Sequence, residues 1–347
     1  MTKGIFWFKT IAVSFFAAYL AILCVPNKPI KTLAEVSKHK SAECVIETNS
    51  GRILYETNGD FRLPMASTTK ILTASTVLEV CSNLNEEVEI SHESVGVEGS
   101  SVYLKEGEKY TVEDLLYGLM LRSGNDCAVA LAIHCEGSLE EFSSKMNEVA
   151  QKAGALNSRF SNPHGLPSKN HYTTARDLCY ITRYAMKNPI FQKIVSTKYY
   201  EKRSWKNKNK MLNEYDGANG VKTGYTKEAG RCLVSSAKRD NMSLICVVLN
   251  CQDTYGRSSE LLDGGFETYK LKPILEEGKT LKFEENGRTI LGYCKESFYY
   301  PLSEGEDSQL EFRLLKEEKK GKDGEILGQF GIYLSKRLLF SGNLYKL

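Results

Sequence analysis

The chain has 347 residues, 41% hydrophobic and 26% charged, which is enough apolar material for a substantial core and more than one domain and excludes disorder as the default state. Its formal net charge of +3, without a basic stripe interleaved with aromatic residues, gives no electrostatic footprint for nucleic acid. The basic run Lys202 to Lys210 reads as a solvated loop.

The N-terminus carries the compartment signal. Lys3 and Lys9 flank a short start and Ile11 to Val25 contains no charge, the pattern of an export signal. Counted from Ile5 the apolar stretch just reaches bilayer-spanning length, so residues 1–25 read either as a leader or as an anchor giving membrane association. Either way the chain is expected outside the cytoplasm, at the cell wall or the outer face of the membrane. Of ten cysteines, Cys24 lies in this stretch behind Leu23, where lipidation would need a small residue. The others are scattered without a framework spacing, and Cys127 and Cys246 sit where small apolar residues belong, as buried thiols. His39, His92, His134, His164 and His171 are dispersed, so no metal or other cofactor is expected.

Glu43 to Glu47 and Arg52 to Glu56 alternate around Asn49-Ser50-Gly51, which predicts a hairpin. Pro64-Met65-Ala66-Ser67-Thr68-Thr69-Lys70 then opens a helix whose apolar stripe is Ile71, Ala74, Leu78 and Cys81. Ser67 stands at its positive N-terminal end and shares a face with Lys70 one turn later. Thr111-x-x-Asp114 is a capping pattern, and Val112, Leu115, Leu116 and Leu119 follow at helical spacing up to a break at Ser123-Gly124-Asn125. A helix resumes near Asp126 and another opens at Thr174-Ala-Arg-Asp177. Gly220 to Tyr225, Arg231 to Ala237 and Leu244 to Asn250 read as neighbouring antiparallel strands, and Leu261, Leu262, Phe266 and Tyr269 as a closing helix. The expected fold over residues 26–270 is α/β of the α+β kind: an antiparallel sheet flanked by helices, with a helical insertion. Leu271 to Lys279 reads as a linker. Residues 280–347 read as a small all-β domain, from Thr280 to Glu284, an Asn286-Gly287 turn, Thr289 to Tyr293, alternating Leu310, Phe312 and Leu314, Gly328 to Leu334 and Arg337 to Leu344. Lys316 to Asp323 reads as an exposed loop.

Three short motifs occur in order: Ser67-Thr68-Thr69-Lys70, Ser123-Gly124-Asn125 and Lys222-Thr223-Gly224. Ser-x-x-Lys also occurs at Ser37 and Ser235, and Ser-x-Asn at Ser168 and Ser341, but Lys-Thr-Gly occurs once, and each motif falls in a fitting place: helix start, interhelical turn, strand. Their chemistry is complementary. A serine hydroxyl needs a base, and Lys70 serves only when neutral, against a reference pKa of about 10.4. Burial and a second cation both lower it, and Lys222 is the candidate cation. Ser123 can relay a proton to a leaving amine, and Asn125 can hold a substrate amide by its carbonyl. Lys222 and Thr223 offer a charge and a hydroxyl to a carboxylate, while Gly224 lets substrate backbone approach the strand edge. The combination fits acyl transfer on a peptide with a free C-terminal carboxylate, without any His or Asp.

The chain resembles the serine D-alanyl-D-alanine carboxypeptidases among the low-molecular-mass penicillin-binding proteins, the S11 peptidases. Beyond the three motifs the likeness rests on Phe160-Ser-Asn-Pro-His-Gly-Leu166, His171-Tyr-Thr-Thr-Ala-Arg-Asp177, Gly220-Val-Lys-Thr-Gly-Tyr-Thr226 and Leu261-Leu-Asp-Gly-Gly-Phe266, and covers about Ala42 to Tyr269. It implies that Ser67 is acylated, that Lys70 is its base, that Ser123 and Asn125 complete the site, and that Lys222 with Thr223 binds the carboxylate. The oxyanion would rest on the backbone amides of Ser67 and Tyr225. Some relatives use an arginine near the closing helix for the carboxylate, which makes Arg257 the candidate. His164 and His171 are expected to order their loops. The implied activity removes the terminal D-alanine from peptidoglycan stem pentapeptides, with β-lactam antibiotics acylating the same serine. Many relatives end in an amphipathic membrane-binding helix, which is not visible in Ser341 to Leu347, so membrane attachment is expected to rest on the N-terminal stretch or to be absent.

The rival enzyme is a class A β-lactamase, which shares the first and third motifs but carries Ser-Asp-Asn, so that Gly124 argues against it. A penicillin-binding sensor that acylates without turnover, and endopeptidase or transpeptidase action on cross-linked stems, stand beside it.

Overall fold

The computed structural model describes residues 41–285, 287–317 and 324–347. The N-terminal stretch with its export and anchor readings, Asn286 of the expected turn and most of the Lys316 to Asp323 loop lie outside the described residues.

The chain opens with the expected hairpin, β1 (Ala42–Glu47) and β2 (Ile53–Thr57). A 3-10 turn, Ala66–Thr69, leads into α1 (Lys70–Val80). A small ribbon, β3 (Glu87–Glu89) with β4 (Lys109–Thr111), precedes α2 (Val112–Tyr117). The expected cap is there: Thr111 Oγ1 accepts from the Asp114 N–H at 3.1 Å. A π-helical turn, Gly118–Arg122, ends at Ser123, and α3 (Asn125–Glu136) and α4 (Leu139–Lys152) follow. Then come α5 (Ala175–Ala185), capped by Thr174, and α6 (Pro189–Ser196). The basic run is not simply a solvated loop. It carries β6 (Trp205–Lys206), which pairs with β5 (Tyr199–Tyr200) just ahead of the run, and its Lys202 and Arg203 pair with the buried carboxylate of Asp114. After α7 (Met211–Glu214) the three expected strands appear as β7 (Ala218–Thr226), β8 (Gly230–Arg239) and β9 (Met242–Leu249), closed by α8 (Thr254–Thr268).

These strands and the hairpin form one antiparallel sheet in the order β2-β1-β9-β8-β7. Alternation along β9 explains its position. Leu244, Cys246 and Val248 pack toward Leu261, Leu262 and Phe266 of α8, while Ile245, Val247 and Leu249 enter the core shared with α1 and α5. Both faces are covered, and the helices between β2 and β7 form the insertion beside the sheet. Two edges remain, β2 and β7, and β7 is the one that packs against the Ala66–Thr69 turn.

Leu271 to Lys279 is not the expected linker. Its residues lie largely in β10 (Lys270–Leu275), whose Leu275 is fully buried. After β11 (Thr280–Glu285) and β12 (Arg288–Tyr293) comes β13 (Phe298–Leu302), which pairs with β10, and β14 (Leu310–Glu317), β15 (Ile326–Leu334) and β16 (Arg337–Lys346) complete a sheet ordered β11-β12-β16-β15-β14. Strand follows helix after Tyr269 alone, because alternating Leu271, Pro273 and Leu275 find a partner in Phe298–Leu302. Arg52, just ahead of β2, ties this region to the first sheet. Its guanidinium donates to the Pro301 carbonyl at 2.7 Å and forks onto Glu306 at 2.9 and 2.5 Å, over the rings of Tyr269 and Tyr300. The described residues belong to one compact unit. Among them no helix is long and apolar enough to cross a membrane.

Candidate active site

Ser67 sits half-buried in the 3-10 turn immediately ahead of α1, preceded by Ala66 at φ +50°. Two glycines let other backbone crowd this turn. A Cβ on Gly224 of β7 would stand 3.0 Å from the Met65 carbonyl and 3.2 Å from the Ser67 nitrogen. A Cβ on Gly165, at φ +92°, would stand 2.0 Å from the Ala66 carbonyl. The turn bearing Ser67 is thus held between the β7 edge and the 162–166 loop.

α1 is buried nearly all round, including Thr73, Ser75 and Thr76, rather than only along the expected stripe, because it runs through the middle of the helical layer. Lys70 opens it with no exposed surface. Its Nζ has three neighbours: Ser67 Oγ at 3.0 Å, Asn125 Oδ1 at 2.6 Å and the His164 carbonyl at 2.6 Å. Burial first, and then the charges of Lys222 and Lys208, hold its pKa well below the ordinary 10.5. A neutral amine has two hydrogens and one lone pair. When the amine is neutral and the two carbonyl oxygens take its hydrogens, its lone pair is left facing Ser67 Oγ.

Asn125, first residue of α3, is oriented from both ends: its carbonyl accepts from Lys70, and its Nδ2 donates to the Glu98 carbonyl at 2.5 Å. Its carbonyl accepts from Lys70 with one of its two lone pairs, so the same side chain both orients the amine and keeps an acceptor for the expected substrate amide. The 98–104 loop behind it is fixed by Asp126, whose Oδ2 accepts from Ser101 Oγ and from the Val102 and Leu104 amides. Ser123 is buried at φ +64°, at the exit of the π-helical turn. Left-handed backbone in a non-glycine residue costs about 1 to 3 kcal/mol and recurs at functional sites. Among the described residues its hydroxyl has no hydrogen-bond partner.

On the other side, Lys222 is buried, with its amine donating to the Thr223 carbonyl at 3.0 Å and its pKa lowered to about 7 by burial and by Lys208. Thr223 and Gly224 are half-exposed and Tyr225 is exposed. These three line a cleft of about 670 Å³ together with Arg231, Gln252 and Thr254. Arg257 is not there. It forks onto Glu43 at 2.9 and 2.8 Å and pairs with Glu260, while Tyr55 accepts a third bond from it. Glu43 and Tyr55 lie on β1 and β2, at the edge of the sheet opposite β7, so those carboxylates take the guanidinium out of the site. The arginine on this side is Arg231, which faces Tyr225 across the β7–β8 ladder.

His171 accepts from the Ser161 amide at Nδ1, so its Nε2 carries hydrogen and donates to Thr69 Oγ1 at 2.8 Å. Burial holds its pKa near 3 and that of His164, also beside Lys70, near 4, so both are neutral loop fasteners. The sequence reading missed the His164 carbonyl, the Glu98 carbonyl and Lys208, since backbone acceptors and a cation from a distant ribbon carry no motif. Among the described residues no group of three or more His, Cys, Asp or Glu side chains is placed to hold a metal ion.

Residues 30–253 match the family model described as D-alanyl-D-alanine carboxypeptidase, Peptidase S11. The chain belongs to that family. It is 34% identical over 265 residues to the D-alanyl-D-alanine carboxypeptidase DacF of Bacillus subtilis, covering 72% of this chain and 68% of that protein. It is 31% identical to DacA of Haemophilus influenzae, over 86% of this chain and 82% of that one. The crystal structure of penicillin binding protein 5 from Haemophilus influenzae superposes with a TM-score of 0.73 at 29% identity, covering 88% of this chain and 95% of that one. That coverage extends the likeness past the family match, into the C-terminal all-β region. The protein is a serine-type D-Ala-D-Ala carboxypeptidase, a hydrolase of peptidoglycan peptides and a penicillin-binding fold.

Proposed function

We propose that this carboxypeptidase, acting outside the cytoplasm, removes the terminal D-alanine of peptidoglycan stem pentapeptides through an acyl-enzyme on Ser67, and so limits cross-linking. The Lys70 amine carries the reading: burial holds its pKa well below the ordinary value, two carbonyl oxygens stand at 2.6 Å and Ser67 Oγ at 3.0 Å. Lys70 takes the Ser67 proton as the hydroxyl oxygen attacks the carbonyl carbon of the penultimate D-alanine. The backbone amides of Ser67 and Tyr225 receive the oxyanion. Ser123, strained and with its hydroxyl unengaged, relays the proton: it gives its own to the departing D-alanine amine as the C–N bond breaks and takes the one that Lys70 received. Water then hydrolyses the ester. The carboxylate of the terminal residue lies against Lys222 and Thr223, with Arg231 lining the cleft beside Thr223 and Gly224 admitting the peptide backbone to the edge of β7.

A β-lactam meets the same groups, its ring carbonyl at Ser67 and its carboxylate at Lys222 and Thr223. The relatives are named carboxypeptidases, which favours neither the β-lactamase nor the sensor reading. The N-terminal apolar stretch leads the chain out of the cytoplasm and, where retained, holds it at the membrane. The test is D-alanine release from a soluble stem pentapeptide by the full chain and by Ser67→Ala. Release by the wild type alone is expected; a stable acyl-enzyme that liberates no D-alanine would make the protein a sensor.

A further inference from the structure

Cys81 and Cys135 lie 54 positions apart in sequence, yet their Sγ atoms stand 2.8 Å from each other. Cys81 is the residue that ends α1, and Cys135 is the penultimate residue of α3. The opposite ends of the same two helices hold Lys70 and Asn125, whose side chains bond to each other at 2.6 Å. A disulfide bond is about 2.04 Å long, so closing this pair asks for a movement smaller than an ångström.

We propose that Cys81 and Cys135 form a disulfide in the exported protein, stapling together the far ends of the helices that position the active-site amine. Proximity and access together single out this pair among the described cysteines: Cys251 is as accessible but has no cysteine sulfur in contact with it. Cys44 and Cys179 also lie beside each other, but both are fully buried and closed to any oxidant. Cys81 and Cys135 are each half-exposed. Either sulfur can donate across this contact, so the S–H of one supports the thiolate of the other, Cys81 included.

The co-reactant is another disulfide, small-molecule or protein. The Cys81 thiolate attacks one of its sulfurs and expels a thiolate, leaving a mixed disulfide. Cys135, losing its proton to solvent, attacks the Cys81 sulfur and expels the second thiolate. Two protein thiols are oxidised, the external disulfide is reduced to two thiols by two electrons, and the two protons end on those thiols. No other residue need change.

The test uses the purified full chain treated with glutathione disulfide, quenched in acid, alkylated with N-ethylmaleimide and digested without reductant. Mass spectrometry should find a peptide linking Cys81 to Cys135, with Cys44 and Cys179 unlinked. Dithiothreitol should lower the Tm of the oxidised protein by about 5 to 15 °C, the shift expected for opening a loop of this length. Cys81→Ser and Cys135→Ser should each melt like the reduced wild type, ignore dithiothreitol and keep the penicillin acylation rate, since neither sulfur touches a reacting atom. Full alkylation of both residues after the glutathione disulfide treatment would overturn the proposal, as would a wild-type Tm indifferent to reductant. The reduction of the wild type decides the matter even if a variant fails to fold.

Discussion

Replacing Lys222 by methionine should stabilise the protein at mildly acidic pH while disabling it. The amine is buried, its described partner is the Thr223 carbonyl at 3.0 Å, and burial lowers its pKa from 10.5 to about 7. The unfolded chain keeps the ordinary value, so between pH 7 and 10.5 it binds a proton that the folded chain does not. Stability therefore rises with pH across that window. Below it the fold carries the whole penalty of the buried charge, about 5 kcal/mol for a fall of this size. Methionine keeps the length of the side chain and removes the amine. Allowing for the lost hydrogen bond, Lys222→Met should gain about 2 to 4 kcal/mol at pH 6. The gain should shrink toward zero as pH approaches 10. Urea unfolding of both proteins at pH 6, 8 and 10 measures this, with penicillin acylation followed in parallel. A stability difference that does not change with pH, or a methionine variant less stable at pH 6, would refute the reasoning that the site holds a cation against the preference of its surroundings.

Thr223→Val keeps the shape and removes the donor; kcat/KM on a free-acid peptide should fall by about 10- to 100-fold, the worth of a hydrogen bond to a charged group. An amidated peptide should lose little, and equal losses would show that Thr223 does not read the carboxylate. Gly224→Ala pushes a Cβ to 3.2 Å from the Ser67 nitrogen; the nucleophile must shift, and acylation should slow by about tenfold. Acylation at the wild-type rate would mean that the turn yields without moving Ser67. Arg52→Ala should cost about 1 to 2 kcal/mol in urea unfolding, between the values for an exposed and a buried pair. Glu306, paired with Arg52, is held at about 2 against an ordinary 4.5, so this stabilisation is complete above 4.5 and lost as pH falls through 2. The variant should lose that part of its acid sensitivity, and an unchanged acid unfolding curve would show that the clamp contributes nothing.

The first sheet was legible because its central strands announce themselves. Leu244 to Leu249 is apolar on both faces, short, and follows the Asp240-Asn241 turn, which reads as an interior strand, while the Thr111 and Thr174 caps mark helix starts by local chemistry alone. β10 was hidden because Lys270 to Leu275 is short, contains Pro273, and becomes a strand only when Phe298–Leu302 lies beside it. α4 was not singled out, although Phe142, Met146, Val149 and Ala150 recur at helical spacing after the Ser138 cap. In the site, Ser67, Lys70, Asn125 and Lys222 could be found because their spacing is local and their chemistry complementary. Arg257 misled because proximity in sequence to the closing helix says nothing about which edge of the sheet a long side chain meets; Glu43, 214 positions away, decides it. The carbonyls of His164 and Glu98 belong to loops whose conformation no motif records.

Acylation of one serine is the claim on which the mechanism turns, and peptide-level mass spectrometry after brief exposure to penicillin tests it most directly. The expected result is a single adduct on the peptide containing Ser67, absent from Ser67→Ala and formed about 10² to 10⁴ times more slowly in Lys70→Ala, as for loss of a general base. An adduct on Ser123 or any other residue, or undiminished labelling of Ser67→Ala, would contradict it.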